Sequence, residues 1–165
     1  MAINQRIRLE YLRNKVESAS PIGRIIILCE ACLKFLFCAK EALVRGDKIV
    51  FVENNIKAQN IIREFRNSLN LEVDEKIASG FYGLYNFMLK QLRQSIQLKK
   101  VEPLDKVHAM ITQLCSSWKT AEEKGLGKDI KPAEIRRGLR EGSKMRTIAP
   151  AQSYAAMNEG LNFIS

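Results

Sequence analysis

The sequence predicts an all-α protein: an antiparallel four-helix bundle with a short N-terminal helix and an extended, mostly irregular C-terminal tail. Three observations carry this. Four long segments repeat apolar residues every three or four positions, the connections between them are short, and no segment alternates with the period of two that a strand needs. The chain has 165 residues, 46% of them apolar and 27% charged, enough for one domain with a real core.

Residues 2 to 17 read as a polar N-terminal helix or arm with apolar members Ile7, Leu9, Tyr11, Leu12 and Val16. Ser20 followed by Pro21 is a helix start, Ser capping free amides and Pro fitting the first turn. The helix that follows, to about Arg45, carries a core stripe of Ile22, Ile25, Leu28, Cys29, Cys32, Leu33, Leu36, Ala39 and Leu43. Ile27, Phe37 and Val44 fall outside the stripe, among Arg24, Glu30, Lys34 and Glu41. Apolar surface on two sides implies a central position in the bundle or a groove kept for a partner.

Gly46 and Asp47 supply the next turn. In the third helix, Phe51, Asn55, Ala58, Ile62, Phe65 and Leu69 step four, three, four, three, four, a heptad seam suited to near-antiparallel packing. Residues 70 to 74 connect to a fourth helix with Ile77, Phe81, Leu84, Tyr85, Met88, Leu92 and Ile96 on one side, ending near Lys99 and Lys100. Pro103 opens the fifth, whose seam is Leu104, Val107, Ile111, Leu114, Trp118 and Ala121. The chain therefore divides into an arm (residues 1 to 17), a helical bundle (18 to 124) and a basic, Gly- and Pro-punctuated tail (125 to 165). Within the tail, residues 132 to 140 and 153 to 159 are candidate short helices, neither with enough apolar surface to fold alone.

The net charge of +9 is spread: +2 over residues 1 to 23, +3 over 24 to 123 and +4 over 124 to 165. Central lysines and arginines alternate with acids as on a solvated helix face, without the stacking aromatics or Gly-rich loops of a nucleic-acid groove. No signal peptide is visible and no apolar run reaches the roughly 20 residues of a membrane span, so a cytosolic protein with reduced cysteines and no stable membrane insertion is expected.

No catalytic or metal constellation is found. Cys29 and Cys32 form a C-x-x-C inside a continuous apolar helix with no second pair, which reads as buried structural cysteine. His108, the only histidine, has no nucleophile or carboxylate at a dyad spacing. The Gly125-Leu126-Gly127-Lys128 run lacks the spacing of a phosphate loop. Neither enzyme activity, cofactor nor metal is expected. What remains is polar and aromatic residues at core-like positions, Asn55, Gln59, Tyr85, Asn86 and Tyr11. They are either satisfied boundary residues or amides that set the register of a peptide in a groove, and spacing alone leaves both open.

Specific words in the chain carry a resemblance. Tyr11, Val16 and the Ser18-Ala19-Ser20-Pro21 run, the stretch Asn55-Ile56-Lys57-Ala58-Gln59-Asn60-Ile61-Ile62, the stretch Tyr85-Asn86-Phe87-Met88, and Trp118-Lys119 resemble, in order and over roughly residues 7 to 124, the flagellar export chaperones for flagellin, the FliS family. The resemblance implies a cytosolic bundle that holds the disordered C-terminal segment of flagellin in apolar grooves, prevents premature polymerisation and delivers it to the cytoplasmic domain of the flagellar type III export gate. It implies a groove drawn from Ile26, Leu33, Phe37, Asn55, Ala58, Gln59, Ile62, Tyr85 and Met88, and an N-terminal cap or export-gate contact at Ile7, Tyr11 and Val16. This chain departs from the family pattern at Cys29-Glu30-Ala31-Cys32, where relatives have Tyr-Asp-Gly-Ala, and at Asn86, where they have Asp. The alternative is a basic helical nucleic-acid-binding or regulatory protein using Arg136, Arg137, Arg140, Lys144 and Arg146.

Overall fold

The computed structural model describes residues 2 to 69 and 75 to 125. The connection expected at 70 to 74, the two candidate tail helices and the basic cluster from Arg136 to Arg146 lie outside the described residues. Among those described, five helices and no strand are present: α1 (Ala2–Ser18), α2 (Pro21–Arg45), α3 (Lys48–Asn67), α4 (Glu75–Leu98) and α5 (Glu102–Glu123).

Each boundary has a local cause. The Ser20 Oγ accepts a hydrogen bond from the Gly23 amide at 2.9 Å and donates one to the Glu122 carboxylate at 2.8 Å, so the cap of α2 also ties it to the end of α5. Gly46 closes α2 in the left-handed conformation (φ 79°), where a Cβ would be strained, and the next residue, Asp47, already caps α3 by accepting from the Val50 amide at 3.1 Å. At the end of α4 the left-handed position falls on Lys99 (φ 52°), so a lysine holds a conformation that glycine would adopt more cheaply.

Helices α2 to α5 form a ring in which each packs on its chain neighbours and α5 closes back on α2. Antiparallel directions follow from paired positions. Glu30 meets Lys119 at 3.0 Å and Lys40 meets Asp105 at 2.7 Å across α2 and α5. Asn55 meets Leu92 and Ser95, and Arg66 meets Asn86, across α3 and α4. The small buried side chains Cys32, Ala39, Ala42 and Ala58 lie in the α2 and α3 pair, the most extensive contact in the bundle, and the Cys32 thiol points at the Ala58 carbonyl.

The core is largely the expected one. All six seam residues of α5 are buried, as are the α3 seam residues except half-buried Leu69. On α2, Ile26 and Ala42 replace Leu28, Leu33 and Leu43 among the fully buried positions, because the closely packed α3 and α5 cover its flanks as well as its centre. Phe65, Phe81 and Tyr85 gather between α3 and α4 with neighbouring ring centroids 6.0 and 6.1 Å apart.

Three of the buried polar residues, Asn55, Gln59 and Ser95, form one relay. The Asn55 amide nitrogen donates to the Leu92 carbonyl (3.2 Å) and the Ser95 hydroxyl (2.8 Å), and its oxygen accepts from Gln59 (2.8 Å). The Gln59 oxygen in turn accepts from Arg63 at 2.9 Å, which carries the chain of bonds to the surface. Removing Asn55 would strand the groups it serves. We therefore expect Asn55→Ala to cost about 2 to 3 kcal/mol in urea unfolding, whereas Asn60→Ala, on the exposed side of the same helix, stays within about 0.5 kcal/mol.

Three of the four cysteines belong to the core. Burial raises the Cys29 thiol well above its ordinary value, pushes Cys32 up to about 12 and raises Cys115 as well. All three should resist a maleimide in the native protein, leaving half-buried Cys38 as the site that reacts first. The sign of the pH dependence follows: the fold holds these thiols neutral, so their contribution is complete below the unfolded value near 9 and drains as pH rises toward about 12. The urea midpoint should fall across that window, less steeply in Cys32→Ala.

Candidate partner-binding surface

Outside the core, apolar side chains are exposed on three of the four bundle helices. On α2 these are Phe37 and Val44, 59% and 70% exposed and one heptad apart. Helical register sets them on the flank that also carries Glu30 and Lys40, the residues that reach across to α5. Half-buried Leu33 lies along this flank, and Ile26 closes its base. The α2 and α5 side of the bundle is thus a mixed strip, an apolar ridge crossed by two ion pairs. The Glu30 hydrogen bond holds the Lys119 ammonium above its ordinary pKa.

On α3, Ile49 and Ile56 project outward, again one heptad apart. On α4, Tyr82, Phe87 and Leu98 are exposed. Tyr82 lies under the Arg66 guanidinium, 5.8 Å from its ring centroid, and the same arginine donates to the Asn86 oxygen at 2.8 Å. The Asn86 departure therefore keeps an acceptor for Arg66 without adding a charge. The Cys29-Glu30-Ala31-Cys32 departure resolves similarly: both cysteines are core and Glu30 pairs with Lys119 of the Trp118-Lys119 word, whose tryptophan is itself buried.

The residues expected to line a groove separate into two sets. Ile26, Asn55, Ala58, Gln59, Ile62, Tyr85 and Met88 are buried, where they hold helices to one another. Phe37 is exposed and Leu33 half-buried. For Asn55 and Gln59 the choice left open by spacing falls on satisfied polar residues, since their amides are engaged within the chain. Exposed Ile49, Tyr82 and Leu98 were not singled out from the sequence; their signal is an apolar residue at a position that the core stripe of the same helix leaves out.

On α1, Ile7 and Tyr11 are four residues apart on one face, whereas Val16, nine residues from Ile7, lies on the other side of the helix. Ile7, Tyr11 and Val16 are all exposed, Tyr11 by 65%, and α1 makes its principal contact with α2 alone. Among the described residues, no group of three or more His, Cys, Asp or Glu is placed to hold a metal ion, and no helix is long and apolar enough to cross a membrane. His108 is exposed. What this arrangement offers is apolar contact area with polar edges.

Known proteins share this sequence pattern. Residues 3 to 125 match the family described as flagellar protein FliS. Three proteins named flagellar secretion chaperone FliS are similar. That of Bacillus subtilis (strain 168) is 32% identical over 111 residues, 67% of this chain and 82% of the relative. That of Vibrio cholerae serotype O1 is 30% identical over 64% of this chain and 77% of the relative. That of Salmonella typhimurium is 27% identical over 68% and 84%. The match spans the arm and all four bundle helices, and the chain belongs to the FliS family of flagellar proteins.

Proposed function

We propose that this protein is a cytosolic flagellar export chaperone that binds the disordered C-terminal segment of flagellin along its outer apolar strips, prevents its premature polymerisation and delivers it to the cytoplasmic domain of the export gate. The observation that carries this reading is the FliS family match over residues 3 to 125, and relatives in that family are named as secretion chaperones. The surface supports it. Apolar side chains stand out on α2, α3 and α4 while the core beneath is closed, as suits a partner that wraps the bundle in pieces. In this reading Phe37, Leu33, Val44 and Ile56 touch the partner, and the buried groove candidates fix the helices that present them.

The released form of such a partner exposes the apolar stripe that it buries on assembly, and a matching surface shields that stripe reversibly. Ordering the segment costs roughly 2 to 5 kcal/mol, which keeps a large contact releasable at the gate. Ile7, Tyr11 and Val16, exposed along α1, are the proposed contact with the gate, the arm (residues 1 to 17) acting apart from the binding body (18 to 124). No catalytic role, cofactor, metal or nucleic-acid partner enters this reading.

Calorimetric titration of the full chain with a flagellin C-terminal segment tests it. We expect saturable one-to-one binding with a negative heat-capacity change and little dependence on salt. Because Phe37 and Val44 are exposed, the paired change Phe37→Asp with Val44→Asp should leave the urea midpoint unchanged and weaken binding at least tenfold. Unaltered affinity in that variant would refute the proposed surface. Absent flagellin binding together with DNA binding that falls steeply with salt would favour the basic-protein alternative.

A further inference from the structure

One flank of α4 is not used by the contacts described so far. Tyr82 and Asn86 meet Arg66 of α3, whereas Gly80, Phe87, Gln91, Gln94 and Leu98 lie by helical register on the other side of α4. Phe87 and Leu98 there are 45% and 58% exposed, and half-buried Leu84 and Met110 pack on the core. Gln91 and Gln94 bond each other at 3.1 Å, which occupies part of their polar capacity. The α4 and α5 pair is also the least closely packed in the ring.

The position of this flank singles out an occupant. Since α4 and α5 are antiparallel and joined by the short turn after Leu98, the end of α5 stands beside the start of α4. The chain leaves there through Gly125, whose φ of 73° turns it out of the helix. Forty residues follow, and their composition is bipartite. Residues 126 to 146 carry seven lysines and arginines, whereas residues 147 to 165 carry a single charged side chain, Glu159. In that second part Tyr154, Met157, Leu161 and Ile164 step three, four, three, the seam of an amphipathic helix.

We propose that residues 154 to 164 of this same chain dock as a helix, through Tyr154, Met157, Leu161 and Ile164, on the flank of α4 that carries Phe87 and Leu98. The dimensions fit. From Gly80 to Leu98 the flank runs about 27 Å and the docking helix about 15 Å at the helical rise of 1.5 Å per residue. The basic spacer between Gly125 and Tyr154 spans far more than that distance when extended. An intramolecular segment needs little intrinsic affinity, because the spacer holds it at an effective concentration near the millimolar range. Nearly neutral, it brings no charge to an apolar strip, and the basic spacer stays in solvent.

Hydrogen exchange of the full-length chain, read by mass spectrometry at two protein concentrations, tests this without any flagellin, so its outcome is separate from that of the export reading. The expected result is exchange in residues 154 to 164 slowed at least tenfold relative to an unstructured peptide, independent of concentration. The paired change Phe87→Asp with Leu98→Asp should abolish that protection while the urea midpoint is retained. Exchange at unstructured rates in the unmodified chain overturns the proposal. So does protection that grows with concentration, which would make a second copy the occupant, or protection that survives the α4 changes and is lost with Phe37→Asp and Val44→Asp.

Discussion

The register of α3 against α4 rests on one buried side-chain amide. Asn55 is fully enclosed, and an enclosed amide costs more than its hydrogen bonds return unless each polar atom is matched. Only one placement of α3 brings its nitrogen to both Leu92 and Ser95 while its oxygen meets Gln59. An apolar seam tolerates slippage by a heptad; a saturated amide does not. With α3 held, Ala58 comes to lie against Cys32 and the close α2 and α3 contact follows. The outward positions of Phe37, Ile56 and Phe87 are thereby set by an interaction none of them makes.

A closed core changes what the surface can do. The Asn55 and Gln59 amides are satisfied within the bundle, and the exposed apolar side chains lie outside the core, available for contact. The ion pairs Glu30 with Lys119 and Lys40 with Asp105 are exposed enough to contribute little stability, and they place charge beside the apolar ridge of α2. For a chaperone in flagellar export this division suits repeated capture and release, since binding and release at the outer strips leave the core intact.

The helices and their seams were legible in the sequence because helical periodicity and caps are local signals: Ser20 with Pro21, Gly46 with Asp47, and the heptads of α3 and α5 all stand where they were expected. The candidate surface was legible only in part. Phe37 and Val44 stand out as apolar residues off a stripe, but the fate of Asn55 and Gln59 depended on Ser95 and Leu92, forty and thirty-seven residues from Asn55, which no spacing within α3 reveals. Ile26, expected in a groove, is buried for a similar reason. Its position beside the stripe is covered by a neighbouring helix, and which flank is covered depends on the ring order of the bundle.

Methyl-resolved magnetic resonance of the full chain, titrated with a flagellin C-terminal segment, tests the central claim most directly. The outward methyls of Ile49, Ile56 and Val44 should shift on binding while those of Ile62, Met88 and Ile111, enclosed in the core, stay close to their free positions. Large shifts concentrated at Ile62, Met88 and Ile111, with the outer methyls undisturbed, would mean that the partner enters an opened bundle, and would contradict it.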